Sequence, residues 1–279
     1  MMSICYLLSA AVFFTALRLY KRRGFTDVKK PLARVILFAY VIPGVLAFGQ
    51  IYSVAGFAVK GALLREPLVL DDLSAAYGKA KEERDAKESR NALKTLSKSD
   101  YEKSPFIGNA DGDVVVLEFY DYTCGFCKRA LEATHALLDT DKNVKLVLMN
   151  FVIHPQIGTI PARASIAAAK QGKDKLAKMH DALFAAQIVP EGANESNINA
   201  LQTKLVMDLA KKNGLNAEQL KKDMFSSAVD EELARVRQIA VKLGLSGTPA
   251  FVVGNDKMFP GAVPAYQLIE AVEEVRGKK

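Results

Sequence analysis

The chain has 279 residues, half of them hydrophobic and a quarter charged, with a formal net charge of +7. That length supports a full-sized core with segments to spare. Residues 1–104 hold 17 Lys/Arg against 10 Asp/Glu and the remainder holds 21 of each, so the whole excess of charge is N-terminal. A nucleic-acid binder spreads its basic residues over a folded face; here they gather between Arg18 and Arg34, and no nucleic-acid partner is expected.

Residues 1–17 carry no charge, and residues 35–59 form a second, longer uncharged run. About 20 helical residues cross a bilayer of about 30 Å, so the second run is long enough and the first is marginal. A basic loop between two apolar spans is held in the cytoplasm, which places everything after Lys60 on the far side. The expected location is the periplasmic side of the inner membrane, with an N-terminal helix as anchor. The alternative starts at Val28-Lys29-Lys30, which reads as the charged head of a signal peptide. Cleavage near Ala47 and Gly49, or Gly56 and Ala58, then frees a soluble periplasmic protein.

Residues 66–104 are charge-rich and helical in pattern, with Leu70, Leu73 and Tyr77 on one face and Leu93 and Leu96 further on. The plain reading is a spacer, and the sharper one is a homo-oligomerising helix within residues 66–100; the apolar positions are sparse for a heptad. Ser104-Pro105 and the Gly108–Asp113 turn residues mark a boundary. The expected organisation is residues 1–60 a hydrophobic anchor or signal region with a basic loop, 61–104 a charged helical linker, and 105–279 a folded domain.

Val114–Tyr120 reads as a buried strand, followed at once by Cys124-Gly125-Phe126-Cys127 at a helix start running to Leu138. The first sulfur therefore sits where unpaired N–H groups and the helix dipole favour a thiolate, and the second lies one turn further in. The pair can cycle between dithiol and disulfide. A haem c site needs His directly after the second cysteine, where Lys128 stands. A zinc site needs about four ligands, whereas the chain has three cysteines and three histidines, and Cys5 is far away in sequence. No metal or other cofactor is expected.

Val144–Val152 reads as a second buried strand, completing a βαβ unit with its cysteines at the carboxyl end of a strand, where α/β sheets place their chemistry. Helices follow: one opened by Pro161 over residues 162–171, then 173–186, 198–213, one capped by Asn216, and one over residues 229–243 ended by Gly244. Their apolar stripes read as core packing. Sheet character returns at Pro249–Val253, with a turn at Asn255-Asp256 and a returning strand at Lys257–Phe259. Pro264–Arg276 is a final amphipathic helix.

The stretch Glu118-Phe119-Tyr120-Asp121-Tyr122-Thr123-Cys124-Gly125-Phe126-Cys127-Lys128, with Met179-His180-Asp181-Ala182-Leu183-Phe184 and Gly247-Thr248-Pro249, resembles the DsbA family of thiol–disulfide oxidoreductases over residues 105–279. The resemblance implies an α/β, thioredoxin-like fold with an inserted helical subdomain at about residues 155–243. It makes Pro249 the cis-proline, placing the Thr248 backbone beside Cys124 to pair with a substrate chain alongside Gly125 and Phe126. It also puts Glu118 beneath the site as a proton acceptor for Cys127; a buried carboxylate has the raised pKa this needs. Cys124 is then the exposed nucleophile and Cys127 the resolving thiol. His135, His154 and His180 receive no catalytic role.

The expected activity is forming, isomerising or reducing disulfides in exported cysteine-containing proteins, with a membrane or soluble redox partner. Gly125-Phe126 puts no positive charge between the cysteines, so a less oxidising pair is expected than a Pro-His dipeptide gives. Alternatives are a redox-assisted assembly factor or chaperone for an exported metalloprotein, and a thioredoxin-like binding module.

Overall fold

The computed structural model describes residues 67–278. The two apolar segments and the basic loop expected in residues 1–60 lie outside the described residues. Contacts divide the chain into two units, Met1–Lys79 and Ala80–Lys279. All described strands and the candidate site belong to the second. Among the described residues no helix is long and apolar enough to cross a membrane.

Helix α1 runs over Pro67–Leu93. Leu73 and Tyr77 are exposed, whereas Leu93, Leu96 and Tyr101 are buried. The apolar contacts of the folded unit thus reach back into the charge-rich stretch. Strand β1, Phe106–Gly108, precedes the strand expected to be first; at three residues it is too short to show a period. Then come β2 (Val114–Tyr120), α2 (Gly125–Thr140) and β3 (Val144–Asn150). Helices α3 to α7 follow at Pro155–Ala169, Lys173–Ala185, Ile198–Lys212, Ala217–Met224 and Ser227–Lys242. The chain closes with β4 (Ala250–Val253), β5 (Lys257–Phe259) and α8 (Ala265–Gly277).

The five strands lie in the order β1-β3-β2-β4-β5. Strands β2 and β3 are parallel, and the other pairs are antiparallel. Both central strands are buried on both faces, which explains their continuous apolar runs. Alternation sorts their side chains into two cores. Val114, Val116 and Tyr120 of β2 pack with α2, α8 and the inserted helices. Leu117 and Phe119 pack on the other face with α7 and with Leu93, Leu96 and Tyr101. Each large apolar side chain so buried stabilises the fold by about 1.5–3 kcal/mol. By the same parity Glu118 points into the first core, between Leu148 and Phe251 in the ladder.

One helix start differs from expectation. Pro161 lies inside α3, which begins six residues earlier at Pro155. A proline there leaves the carbonyl four residues back without its N–H partner. That carbonyl belongs to Ile157, and it accepts a hydrogen bond from Gln202 Nε2 at 2.7 Å. A side chain from α5 thus supplies what the backbone lacks, a compensation 41 residues away that local pattern does not contain. The cap at Asn216 forms as expected, its side chain accepting from the Gln219 N–H at 3.0 Å. Strand β3 stops at Asn150, two residues earlier than its apolar run suggests, because its pairing with β2 ends at Tyr120.

Candidate active site

Strand β2 ends at Tyr120, and the four residues from Asp121 to Cys124 carry the chain into α2. Asp121 fixes this connection. It is buried, and its carboxylate accepts from Thr123 N (2.8 Å), Thr123 Oγ1 (2.7 Å), Ile153 N (2.8 Å) and His154 N (3.1 Å). Its backbone carbonyl accepts from Cys124 N at 3.0 Å. One carboxylate therefore ties the loop before Cys124 to the loop after β3. Four charge-assisted bonds offset the cost of burying it. Gly158 makes room: a Cβ there would stand 2.8 Å from Asp121 Oδ1. Sequence reading gave Asp121 no role. The available signal was an Asp two residues before a Thr at a strand end, the spacing of an Asx turn.

Cys124 is the N-cap of α2, and Cys127 lies in its first turn. Both sulfurs are free thiols. The Thr248–Pro249 peptide is cis, and its loop brings Thr248 O within 3.3 Å of Cys124 Sγ, which donates to it. The sulfur expected to be exposed is largely covered. Cys124 is only 8% exposed, against 0% for Cys127, whereas Phe126 between them is 60% exposed. The Arg129 guanidinium lies 4.3 Å from the Phe126 ring centre, a cation–π contact holding the aromatic at the rim.

The two sulfurs differ in acidity. Burial pushes the Cys124 thiol up, but Thr248, Cys127 and the N–H groups at the helix start outweigh it, leaving the thiol below its ordinary value. Burial dominates at Cys127 and pushes its thiol far up. Among the described residues the buried Thr248 hydroxyl has no hydrogen-bond partner, yet its nearness favours the anion at both sulfurs. Glu118 is fully buried, neither of its oxygens has a partner among the described residues, and burial raises its pKa to about 8.

The histidines are placed differently from one another. His135 on α2 is half-exposed and pairs with Asp181 of α4 at 2.9 Å. His154 caps α3 and meets Thr123 Oγ1 at 3.1 Å. His180 is fully buried, with Nδ1 2.8 Å from Tyr122 Oη. Tyr122 Oη is 3.2 Å from Tyr120 Oη, which lies 3.2 Å from Ser165 Oγ. The inserted helices are thus hydrogen-bonded to the strand end that leads into Cys124. This network joins residues distant in sequence, so only the fold reveals it.

Residues 115–273 match the model of the DSBA-like thioredoxin domain. The chain belongs to that family. As a member of the DSBA-like family it is a protein thiol–disulfide oxidoreductase. Disulfide bond formation protein D of Bacillus subtilis (strain 168) is 28% identical over 180 residues, covering 62% of this chain and 78% of that protein. A thioredoxin-like oxidoreductase from Silicibacter pomeroyi DSS-3 is 36% identical in sequence. Its structure aligns with a TM-score of 0.55 over 65% of this chain and 99% of its own. The thiol-disulfide exchange protein alpha-DsbA2 from Wolbachia pipientis shares the fold at 21% identity, with a TM-score of 0.58 over 68% and 97% of the two chains.

Proposed function

We propose that the DSBA-like activity of this chain runs through Cys124 and Cys127 and acts on cysteine-containing proteins outside the cytoplasm. The carrying observation is the asymmetry of the two sulfurs. Cys124 caps a helix, touches the Thr248 carbonyl and has a lowered pKa; Cys127 is sealed behind it with a raised one.

In the reducing direction the Cys124 thiolate attacks one sulfur of a substrate disulfide. A mixed disulfide forms and the substrate's other sulfur leaves as a thiolate. In molecules whose Glu118 carboxyl has ionised, which burial delays to about pH 8, that carboxylate serves as the acceptor for the Cys127 proton, and the Cys127 thiolate attacks Cys124 Sγ. The remaining substrate sulfur leaves and takes up a proton, and Cys124–Cys127 becomes the disulfide. Two electrons pass to the substrate; the reverse order donates a disulfide. Thr248 and Pro249 with Gly125 and Phe126 form the surface on which the substrate chain lies.

The groups that lower the Cys124 pKa among the described residues are the neutral Thr248, Cys127 and Phe126. This favours the isomerase or reductase side, with a potential nearer about −200 mV than the about −120 mV of the strongest oxidants. Export rests on the charge pattern of residues 1–60, with the anchor as the favoured arrangement and a cleaved signal as the other. Residues 61–104 are read as the linker, with self-association through residues 66–100 as its sharper role, and residues 105–279 as the redox domain.

The test is insulin reduction and recovery of a scrambled substrate. Cys124→Ser should lose both, and Cys127→Ser should accumulate a mixed disulfide with its substrate. Activity retained without Cys124 would overturn the assignment.

A further inference from the structure

A groove of about 520 Å³ runs beside the candidate site, wide enough for a stretch of polypeptide. Its floor and one wall come from the loop between α7 and β4, ending at Thr248, Pro249 and Ala250. The end of β5 contributes Met258, Pro260 and Gly261. The remaining wall is α1, through Asp85, Glu88, Ser89 and Ala92. Those positions fall at i, i+3, i+4 and i+7, so a single helix face is turned to the groove. The charged stretch that reads in sequence as a solvated spacer therefore borders the catalytic loop.

We propose that this acidic face of α1 is a specificity wall for an extended cysteine-containing polypeptide segment with Lys or Arg beside its cysteine. The inference rests on Cys124 being the nucleophile. A substrate joined through its own sulfur to Cys124 has its backbone beside Thr248, whose carbonyl is 3.3 Å from that sulfur. At about 3.3 Å per extended residue, flanking side chains enter the groove that starts there. They meet two carboxylates. Lys242, the one lysine on the groove wall among the described residues, has its ammonium 3.3 Å from Asp100. Arg84 approaches Asp85 at 3.5 Å and Glu88 at 3.9 Å, but all three side chains are more than half exposed. Such surface pairs contribute little and exchange partners readily. A cation arriving beside its anchored cysteine is therefore held by two carboxylates, and an acidic segment is repelled.

The test uses the full chain and two disulfide-linked peptides, identical except for two Lys or two Glu beside the cysteine. For the native protein kcat/KM should favour the Lys peptide by about fivefold or more at low ionic strength. The difference should lie in KM and shrink as salt screens it. The Asp85→Lys/Glu88→Lys protein should lose or reverse the preference, and Asp85→Asn/Glu88→Gln should fall between. Turnover of hydroxyethyl disulfide, small and neutral, should be the same in all three. A native protein without preference, or a charge-reversed one that keeps it, overturns the wall while normal hydroxyethyl disulfide turnover leaves the Cys124 assignment standing. No turnover of any disulfide by the native protein overturns both.

Discussion

Glu118 and His180 are both fully buried, and burial moves them in opposite directions: the carboxyl from 4.5 to about 8, the imidazole from 6.5 to about 3. Between pH 4.5 and 8 the folded state holds a proton on Glu118 that the unfolded chain has lost. Stability therefore falls as pH rises through that window, on the order of 1.4 kcal/mol per pH unit. Between pH 3 and 6.5 the unfolded chain holds a proton on His180 that the folded state lacks, so stability falls as pH drops. The two slopes cancel between 4.5 and 6.5. Glu118→Gln should raise the midpoint of urea unfolding at pH 8 and leave a curve that only rises from pH 3 to 6.5. The same variant should remove an ionisation near pH 8 from the rate of the Cys127 step, followed by quenched-flow trapping of the mixed disulfide. An unchanged pH profile would mean that Glu118 takes no part in proton transfer.

At the scale of elements, the helix leading into the folded unit is divided in character. Its early apolar residues Leu73 and Tyr77 are exposed, while Leu93 at its end and Leu96 just beyond are buried against β2, β3 and α7. Leu93→Ala should cost about 2–5 kcal/mol in chemical denaturation, the usual range for a buried leucine, whereas Leu73→Ala should cost little. A second contact between elements bears on the site. Gly158 in the first turns of α3 lets that helix approach the Asp121 carboxylate. Gly158→Ala should push Asp121 from its four donors, lowering both stability and the rate of mixed-disulfide formation. Stability lost with no change in rate would show that Asp121 does not position the loop before Cys124.

Across the whole molecule, the charge excess sits entirely in residues 1–104 and the rest is balanced. On the export reading, alkaline phosphatase joined after Glu66 should be active in a bacterium with two membranes, and an inactive but stable fusion would place the domain in the cytoplasm. The strands and helices of the folded unit were largely legible in sequence, because two-sided burial leaves continuous apolar runs and helices leave 3.6-residue stripes. The edges were not: β1 is too short to carry a period, and α3 runs through Pro161 only because Gln202 reaches its freed carbonyl.

The sequence by itself determined the chemistry. A Cys-x-x-Cys at a strand-to-helix junction, a Glu inside an apolar strand and a Thr-Pro before a late strand are local patterns. Local backbone geometry places the first thiol at the helix cap, and the family resemblance of the other two patterns implies a buried acid and a cis-proline turn. Tertiary structure alone decided what surrounds that chemistry. Cys124 is 8% exposed with the Thr248 carbonyl against its sulfur, Asp121 joins two loops, and His180 reaches Tyr122 from an inserted helix. It also turned a charged helix into one bank of a groove. These arrangements depend on which distant segments share a space, and packing between segments far apart in sequence leaves no periodic trace in the chain.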